Sequence, residues 1–587
     1  MSAIITPFKR LKWGFLPQRR IVDEDEFGNF IDSGEDSIKS SEKEEISEKV
    51  SDTKIFEKES PEDKIYEYRD EKDRPWWKFF DEYEYRVQTK VKKNRKWYHW
   101  FHDDDTYEEK KLILKLDLLL TFYSMVAYWI KYLDTVNLTN AYISGLYLPK
   151  DQGGINMVKN DLINTQTVFN VGTVVFQLAA VIVVYEYPLT YSLPISDMLW
   201  SILTIVTAEV KSVGGLQAVR FLIGVCESLF YPAYHSLLAG WFIPTELNRR
   251  AGLYYIGQFL GVLSSGLISG GIENAFGNTP GQVWRWIFRI DGIASFVVGI
   301  LGLYMLPGTP SDCYSIFLTD EDIRVARRRM KRANVGSKPR KDALKKFFDK
   351  NVWKSIFSTW HFYVLSIWCI FLWNNTSGPQ GAYPLWLKFK TREDGTPSFT
   401  GSRLQNFTSL TPSLGILYLI LVCCYADFFQ SRWSAIVISQ IFNFVGNLLL
   451  AIWNIPEGAK WFAWVLQYWS WSAAPVVYAW QGDICRFDFR KRQVLLFSMN
   501  IIAQTFSVWI TRLTWSTVEA PRYLKGFSFI TASTFALIVW TFLVLYLYKK
   551  QEREHAKENG IILYNSDKDG EVASEIVDGK VDKFHSL

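Results

Sequence analysis

The chain has 587 residues, a net charge of +5, and hydrophobic residues at 48% of positions, with many Trp, Tyr and Phe. Its charge is concentrated in residues 1–111 and 549–587, and apolar runs of about 20 residues, the length that crosses a bilayer, fill the stretch between them. This excludes an ordinary soluble core. The lack of a dense basic stripe argues against nucleic acid as a partner.

No cleavable leader is expected, because Met1 to Arg20 contains Lys and Arg without a continuous apolar segment. The tail 1–111 is read as cytosolic and largely disordered, since residues 21–75 have little apolar surface to offset ordering entropy. Two aromatic-basic stretches interrupt it, Pro75-Trp76-Trp77-Lys78-Phe79-Phe80 and Lys96-Trp97-Tyr98-His99-Trp100. Either suits the interfacial zone of a membrane or a solvated tail with a few docking aromatics.

Apolar runs then predict helices over 112–134, 163–184, 190–209, 216–240, 250–272 and 286–306. A hydrophilic loop, 307–358, follows. A second set falls over 359–379, 405–426, 433–453, 460–481, 493–515 and 525–548, before a charged tail at 549–587. The fold class is thus an all-α membrane protein of twelve spanning helices in two six-helix pseudo-repeats, 112–306 and 359–548. Arg249 and Arg250, the cluster Arg324 to Arg332, Arg486 to Arg492, and Lys549 with Lys550 share one side if the helices alternate. The positive-inside rule makes that side, and both tails, cytosolic. Lys388, Lys390, Arg392 and Arg403 on the other side soften the asymmetry. Pro232 and Pro475 fall within helices four and ten, matched members of the two halves, where a missing backbone donor bends the helix.

Ionisable groups inside spans mark pathways or relays by default. Helix one ends in Lys131-Tyr132-Leu133-Asp134-Thr135-Val136-Asn137, where Lys131 can pair with Asp134 three residues on, or snorkel to the outer interface. Helix four holds Arg220, Glu227 and His235. Glu227 lies near mid-span and is a candidate proton carrier. Arg220, two turns away on one face, is a candidate structural clamp for it or a substrate contact. Asp291, at the start of helix six, and Arg512 in helix eleven lie nearer helix ends. Asn374 and Asn375 in helix seven are candidates to bond solute or to join helices. His235 is read as a structural histidine. The six Cys carry no metal or redox spacing, so no metal or cofactor is expected. No nucleophile–base pair or phosphate loop suggests an enzyme.

Several of these residues carry a family resemblance. Residues 132–141, Arg220-Phe221-Leu222-Ile223-Gly224 with Glu227-Ser228-Leu229-Phe230-Tyr231-Pro232, Trp284-Arg285-Trp286 and Leu306-Pro307-Gly308-Thr309-Pro310 resemble signatures of the allantoate permease family of fungal major facilitator proteins, in the anion–cation symporter group. Asp427 and Arg432 resemble the second copy of the superfamily's cytosolic gating motif. The resemblance implies a plasma-membrane proton symporter for a small, usually anionic, organic nutrient, with Asp134 and Glu227 as coupling carboxylates. From the residues themselves, Lys131, Asn374, Asn375 and Arg512 are candidates for solute contact. Two positions depart from the resemblance. Thr135 stands where the family commonly has a basic residue, and the first gating motif is unrecognisable around Tyr185-Glu186-Tyr187-Pro188. A nutrient sensor on the same fold, signalling through its long tail, remains an open alternative.

Overall fold

The computed structural model describes residues 11–12, 15–20, 22, 67–72, 74–86, 100–101, 105–277, 279, 281–332, 350–377, 379–392, 394–486 and 489–565. The chain divides into two compact units, one of Met1–Arg20 with Trp97–Val544 and one of Ile21–Lys96 with Leu545–Leu587. Most of the tail expected to be disordered, and residues 96–99 of the second aromatic stretch, lie outside the described residues.

In the first unit, twelve helical passages run in order among the described residues. They are α1 (Tyr107–Leu146), α2 (Asp161–Glu186), α3 (Leu189–Thr207), α4 (Val213–Trp241), α5 (Pro244–Phe276) and α6 (Gln282–Met305). After the central loop come α7 (Trp360–Ser377 and Pro379–Lys388), α8 (Gly401–Phe429), α9 (Arg432–Ile452), α10 (Glu457–Leu466, Trp469–Ser472 and Ala474–Ile484), α11 (Phe489–Thr514) and α12 (Leu524–Glu554). Nine of these, among the described residues, are long and apolar enough on their own to cross a membrane. The last residues of α12 belong to the second unit.

The main correction to the sequence reading concerns α1. It does not end near Asp134 but continues through Ala141 and a wide π-type turn to Leu146. Its start is fixed by a reciprocal cap, in which Thr106 and Glu109 satisfy each other's backbone N–H groups. The polar stretch 131–140 therefore lies within the span. It stays helical because its side chains find buried partners. Asn140 Nδ2, for example, donates to Ser265 Oγ on α5 at 2.7 Å. Helix α5 approaches closely through Gly257 and Gly261, where an added Cβ would lie 2.2 Å from Met125 O and 2.6 Å from Trp129 O on α1. Small residues four apart let two backbones meet in this way.

Both prolines interrupt their helices. α4 breaks between Glu227 and Phe230, just before Pro232, and α10 restarts at Ala474 with Pro475 in its first turn. A proline ring clashes with the carbonyl four residues earlier, so each break falls on its N-terminal side.

At the end where α1 begins, ion pairs tie the helices to the loop helix Asp320–Arg332. Lys115 pairs with Asp322 at 2.5 Å, Arg332 with Glu109 at 2.6 Å, and Arg329 with Glu246. Arg250, fully buried, grips Asp117 with two bonds of 2.8 and 3.2 Å. The gating-motif residues lie at this end too. Asp427 pairs with Arg249 across the two halves at 3.0 Å, and Arg432 pairs with Asp483 at 2.7 Å. In the half without a recognisable motif, the loop-helix contacts supply such ties. At the opposite end, Gln405 on α8 reaches Asn140 O at 3.2 Å and Ser144 Oγ at 2.6 Å on α1.

The second unit corrects the expectation of disorder for residues 67–72 and 74–75. Strand β1 (Glu67–Asp70) pairs in parallel with β2 (Ile561–Tyr564), joining the two tails. A short turn of helix, Trp76–Phe80, follows β1. Burial pushes the Glu84 carboxyl up, but hydrogen bonds from Arg74 and Lys549 outweigh it and hold it below its ordinary range.

Candidate functional site

The buried charges of the first unit gather where α1 meets α4. α1 offers Lys131 and Asp134, and α4 offers Arg220 and Glu227. The sequence spacing suggested pairs within each helix. The structure instead crosses them. Lys131 Nζ lies 3.3 Å from Glu227 Oε2, and Arg220 Nη1 donates to Asp134 Oδ2 at 3.0 Å. Adjacent spans run in opposite senses, so the earlier residue of one faces the later residue of the other. Three residues on α1 cover only about 4.5 Å against about 10 Å for seven on α4, and the long Lys and Arg side chains take up the difference.

The carboxylates of the two pairs differ in how completely they are satisfied. Asp134 also accepts from Thr204 Oγ1 at 3.3 Å, and Arg220 packs over the Phe288 ring. Asp291 joins this network. It accepts from Asn137 Nδ2 at 2.9 Å, while Asn137 Oδ1 accepts from Ser265 at 2.7 Å. Asp291 is thus nine residues inside α6 and 1% exposed, not at a helix end where snorkelling would serve. Glu227 is also 1% exposed, yet its carboxylate has no hydrogen-bond partner among the described residues beyond the ion pair with Lys131.

Lys131 is also the one residue of these pairs that reaches open space. A cavity of about 180 Å³ lies between the halves, and Lys131 is the only charged side chain lining it among the described residues. Lys131, Thr135 and Thr139, spaced four residues apart, contribute one face of α1. α2 adds Gln166, Asn170 and Thr173, and α11 adds Gln504, Ser507 and Thr511. Tyr128, Tyr132, Phe169, Tyr231, Trp373, Trp471 and Trp515 supply aromatic walls. Such a site can hold a small solute with a ring or chain against aromatics, an anionic group on Lys131, and polar atoms on the amides and hydroxyls.

Tyr128, Tyr132, Tyr231, Trp373 and Trp471 also line a smaller cavity of about 30 Å³, closed further by Tyr255, Gln258 and Tyr478. Trp373 Nε1 donates to Tyr478 Oη at 2.8 Å, and Tyr478 Oη to Asn500 Oδ1 at 2.6 Å. His235 stacks into this aromatic layer, 4.4 Å from the Tyr231 ring, and lines neither cavity.

Three residues expected near the solute lie outside the lining of this cavity. Asn374 and Asn375 are buried but do not line the cavity, and Asn374 Nδ2 donates to Ile370 O at 2.8 Å in its own helix. Their neighbour Trp373 takes the cavity position. Arg512 is exposed, one helical step past Thr511, which does line the cavity. A single residue turns a helix by about 100°, enough to carry Arg512 off the inner face. The α2 and α11 polar residues were missed. Their signal was the spacing Gln166-x3-Asn170 and Gln504-x2-Ser507-x3-Thr511 on otherwise apolar helices.

Twelve helical passages among the described residues, packed around a central cavity with aromatic walls and a few polar groups and with an inter-half ion pair at one end, form the architecture of a membrane transporter built in two halves. Residues 120–492 match the model of the Major Facilitator Superfamily, and the chain belongs to that family. It is 38% identical to the "Vitamin H transporter" of Saccharomyces cerevisiae over 87% of this chain and 85% of that one. It is 26% identical to "Pantothenate transporter liz1" of Schizosaccharomyces pombe over 71% of this chain and 78% of that one. Among solved structures, the proton:xylose symporter XylE superposes with a TM-score of 0.55 at 14% identity, covering 73% of this chain and 95% of that one. That likeness is one of fold. The chain is therefore a membrane transporter and not an enzyme.

Proposed function

We propose that the protein takes up a small organic anion together with a proton. The observation that carries this reading is that Lys131, the single charged residue of the cavity among the described residues, has a deeply buried carboxylate, Glu227, as its ion-pair partner. With no solute bound, the two charges compensate each other. When an anion engages Lys131, an ionised Glu227 is left without a partner in a dry site, which is strongly unfavourable. Proton uptake on Glu227 removes that penalty, so solute and proton bind favourably together. The loaded site carries the same net charge as the empty one. Carrying no excess charge across the bilayer lowers the barrier to reorientation of the halves. Asp134, held by Arg220 and Thr204, acts in this account as the lock between α1 and α4 that transmits the change. The ion pair Arg249–Asp427 and the breaks before Pro232 and Pro475 serve the rocking of one half against the other.

The same reading orients the molecule with both tails in the cytosol, on the side rich in Arg and Lys, in the plasma membrane. The finer family assignment, to the allantoate permease family, rests on the motifs quoted above. Residues 8–15, Tyr68-Arg69-Asp70 with Pro75-Trp76-Trp77, and 559–565 resemble a yeast permease named for ethionine-sulfoxide resistance. Vitamin, ureide, carboxylate and sulfoxide amino acid are accordingly the solute classes to test. Labelled vitamin H, pantothenate, allantoate, a dipeptide and methionine sulfoxide are offered at acid pH to cells lacking their own permeases, with and without a protonophore. Accumulation of an anionic member that the protonophore collapses is the expected result. Protonophore-insensitive uptake, or uptake of uncharged solutes only, would contradict the proposal.

A further inference from the structure

The second unit carries two adjacent, prominently exposed tryptophans, Trp76 at 78% and Trp77 at 58%. Each sits on the short turn Trp76–Phe80 that follows Pro75. Large apolar side chains exposed side by side mark an interaction surface. What covers them follows from the rest of the same unit, which contains the residues where α12 leaves the bilayer. The apolar run of α12 ends at Leu545-Tyr546-Leu547-Tyr548, and Lys549 is the first charged residue after it.

Lys549 is 4% exposed, and its ammonium is spent on the turn that carries the tryptophans. It donates to Asp81 O at 2.6 Å and to Lys78 O at 3.3 Å, and it pairs with Glu84. Glu84 is held in turn by Arg74 at 2.7 Å. Around the next turn of α12, Arg86 bonds Tyr548 Oη at 2.7 Å and Glu552 at 3.2 Å, and Asn559 reaches Tyr85 O at 3.1 Å. The backbone of the tryptophan turn is thus pinned by direct hydrogen bonds to the residue that marks the end of a spanning helix. Tyr546, three residues earlier, is itself 56% exposed, as a belt residue facing lipid would be.

We propose that Trp76 and Trp77 are an interfacial anchor, inserted at the headgroup–acyl boundary of the leaflet from which α12 emerges. Indole suits that depth, since its apolar body enters the acyl region while its N–H stays among polar groups. Acidic residues outnumber basic ones seven to five over 67–86, so the anchor depends on depth and not on anionic lipid. The anchor makes the segment around β1 a structural collar of the last helix, distinct from a freely moving tail.

The test uses the unmodified full chain in phosphatidylcholine vesicles. A phospholipid with a diazirine near its ester carbonyls is photoactivated, and adducts are mapped by mass spectrometry. The expected result is labelling within residues 75–80 comparable to that of Tyr546, falling at least about five-fold in the W76S/W77S variant at those residues with Tyr546 labelling retained. Labelling at Tyr546 with none at 75–80 would overturn the proposal, as would labelling of 75–80 that appears only when phosphatidylserine is added.

Discussion

The two six-helix halves line one cavity but are built with different polar chemistry. In the N-terminal half, α1, α4 and α6 are joined by buried charges, Lys131–Glu227, Arg220–Asp134 and the Asp291 network. In the C-terminal half, the buried pair Arg432–Asp483 sits near the helix ends, and the mid-helix interior is joined by neutral amides. Asn443 donates to Thr534 Oγ1 at 3.1 Å, Asn447 to Asn443 Oδ1 at 2.7 Å, and Gln467 to Asn447 Oδ1 at 3.1 Å, linking α9, α10 and α12. Amide ladders hold helices together without a titrating or exchangeable charge. Ion pairs in a dry site do the same, but each can be opened by a proton or a competing anion. In the proposed mechanism the N-terminal half handles proton and charge, while aromatic side chains from both halves shape the cavity.

The sharpest way to break this comparison is at Lys131. Lys131→Gln removes the cavity's cation and leaves Glu227 unpaired, a loss of about 3–5 kcal/mol for a broken buried pair, so transport should fall about 100-fold or more. Adding Glu227→Gln should restore expression and thermal stability but not uptake. Recovery of uptake in the double variant would show that the pair is only structural. The second pair is expected to behave differently. Arg220→Met should lower thermal stability in detergent by about 3–5 kcal/mol, and Asp134→Asn on top of it should recover much of that loss. In the amide half, Asn443→Leu should cost only about 1 kcal/mol, because hydrogen bonds between spanning helices are individually weak, and it should leave proton-driven accumulation intact. The smallest effect is expected at Arg512. Exposed and off the inner face, Arg512→Ala should change uptake kinetics by no more than about two-fold.

The fold was legible because hydropathy and length nearly determine a spanning helix, and the six–loop–six spacing then suggests the pseudo-repeat. The polar cluster Lys131, Asp134, Arg220 and Glu227 was legible for a similar reason, since charge inside a span needs an explanation. Which residues pair was not. Pairing depends on helix direction and neighbours, and Lys131 with Asp134 looks equally good on paper. The end of α1 was misread because Asp134 to Asn140 is polar, and only partners on α5 and α6, far away in sequence, make that stretch stable in a span. Asn374, Asn375 and Arg512 fall outside the lining of the cavity because a helix presents only one face to it, and one position decides which.

The central claim is that the proton acts through Glu227 by releasing Lys131. The most direct measurement compares Glu227→Gln with the unaltered protein in vesicles, in two assays. One is accumulation driven by an imposed proton gradient, and the other is counterflow exchange of labelled for unlabelled solute without a gradient. Glutamine resembles the protonated carboxyl, so the account predicts that exchange persists while gradient-driven accumulation disappears. Accumulation that survives in Glu227→Gln and still collapses with a protonophore would contradict it.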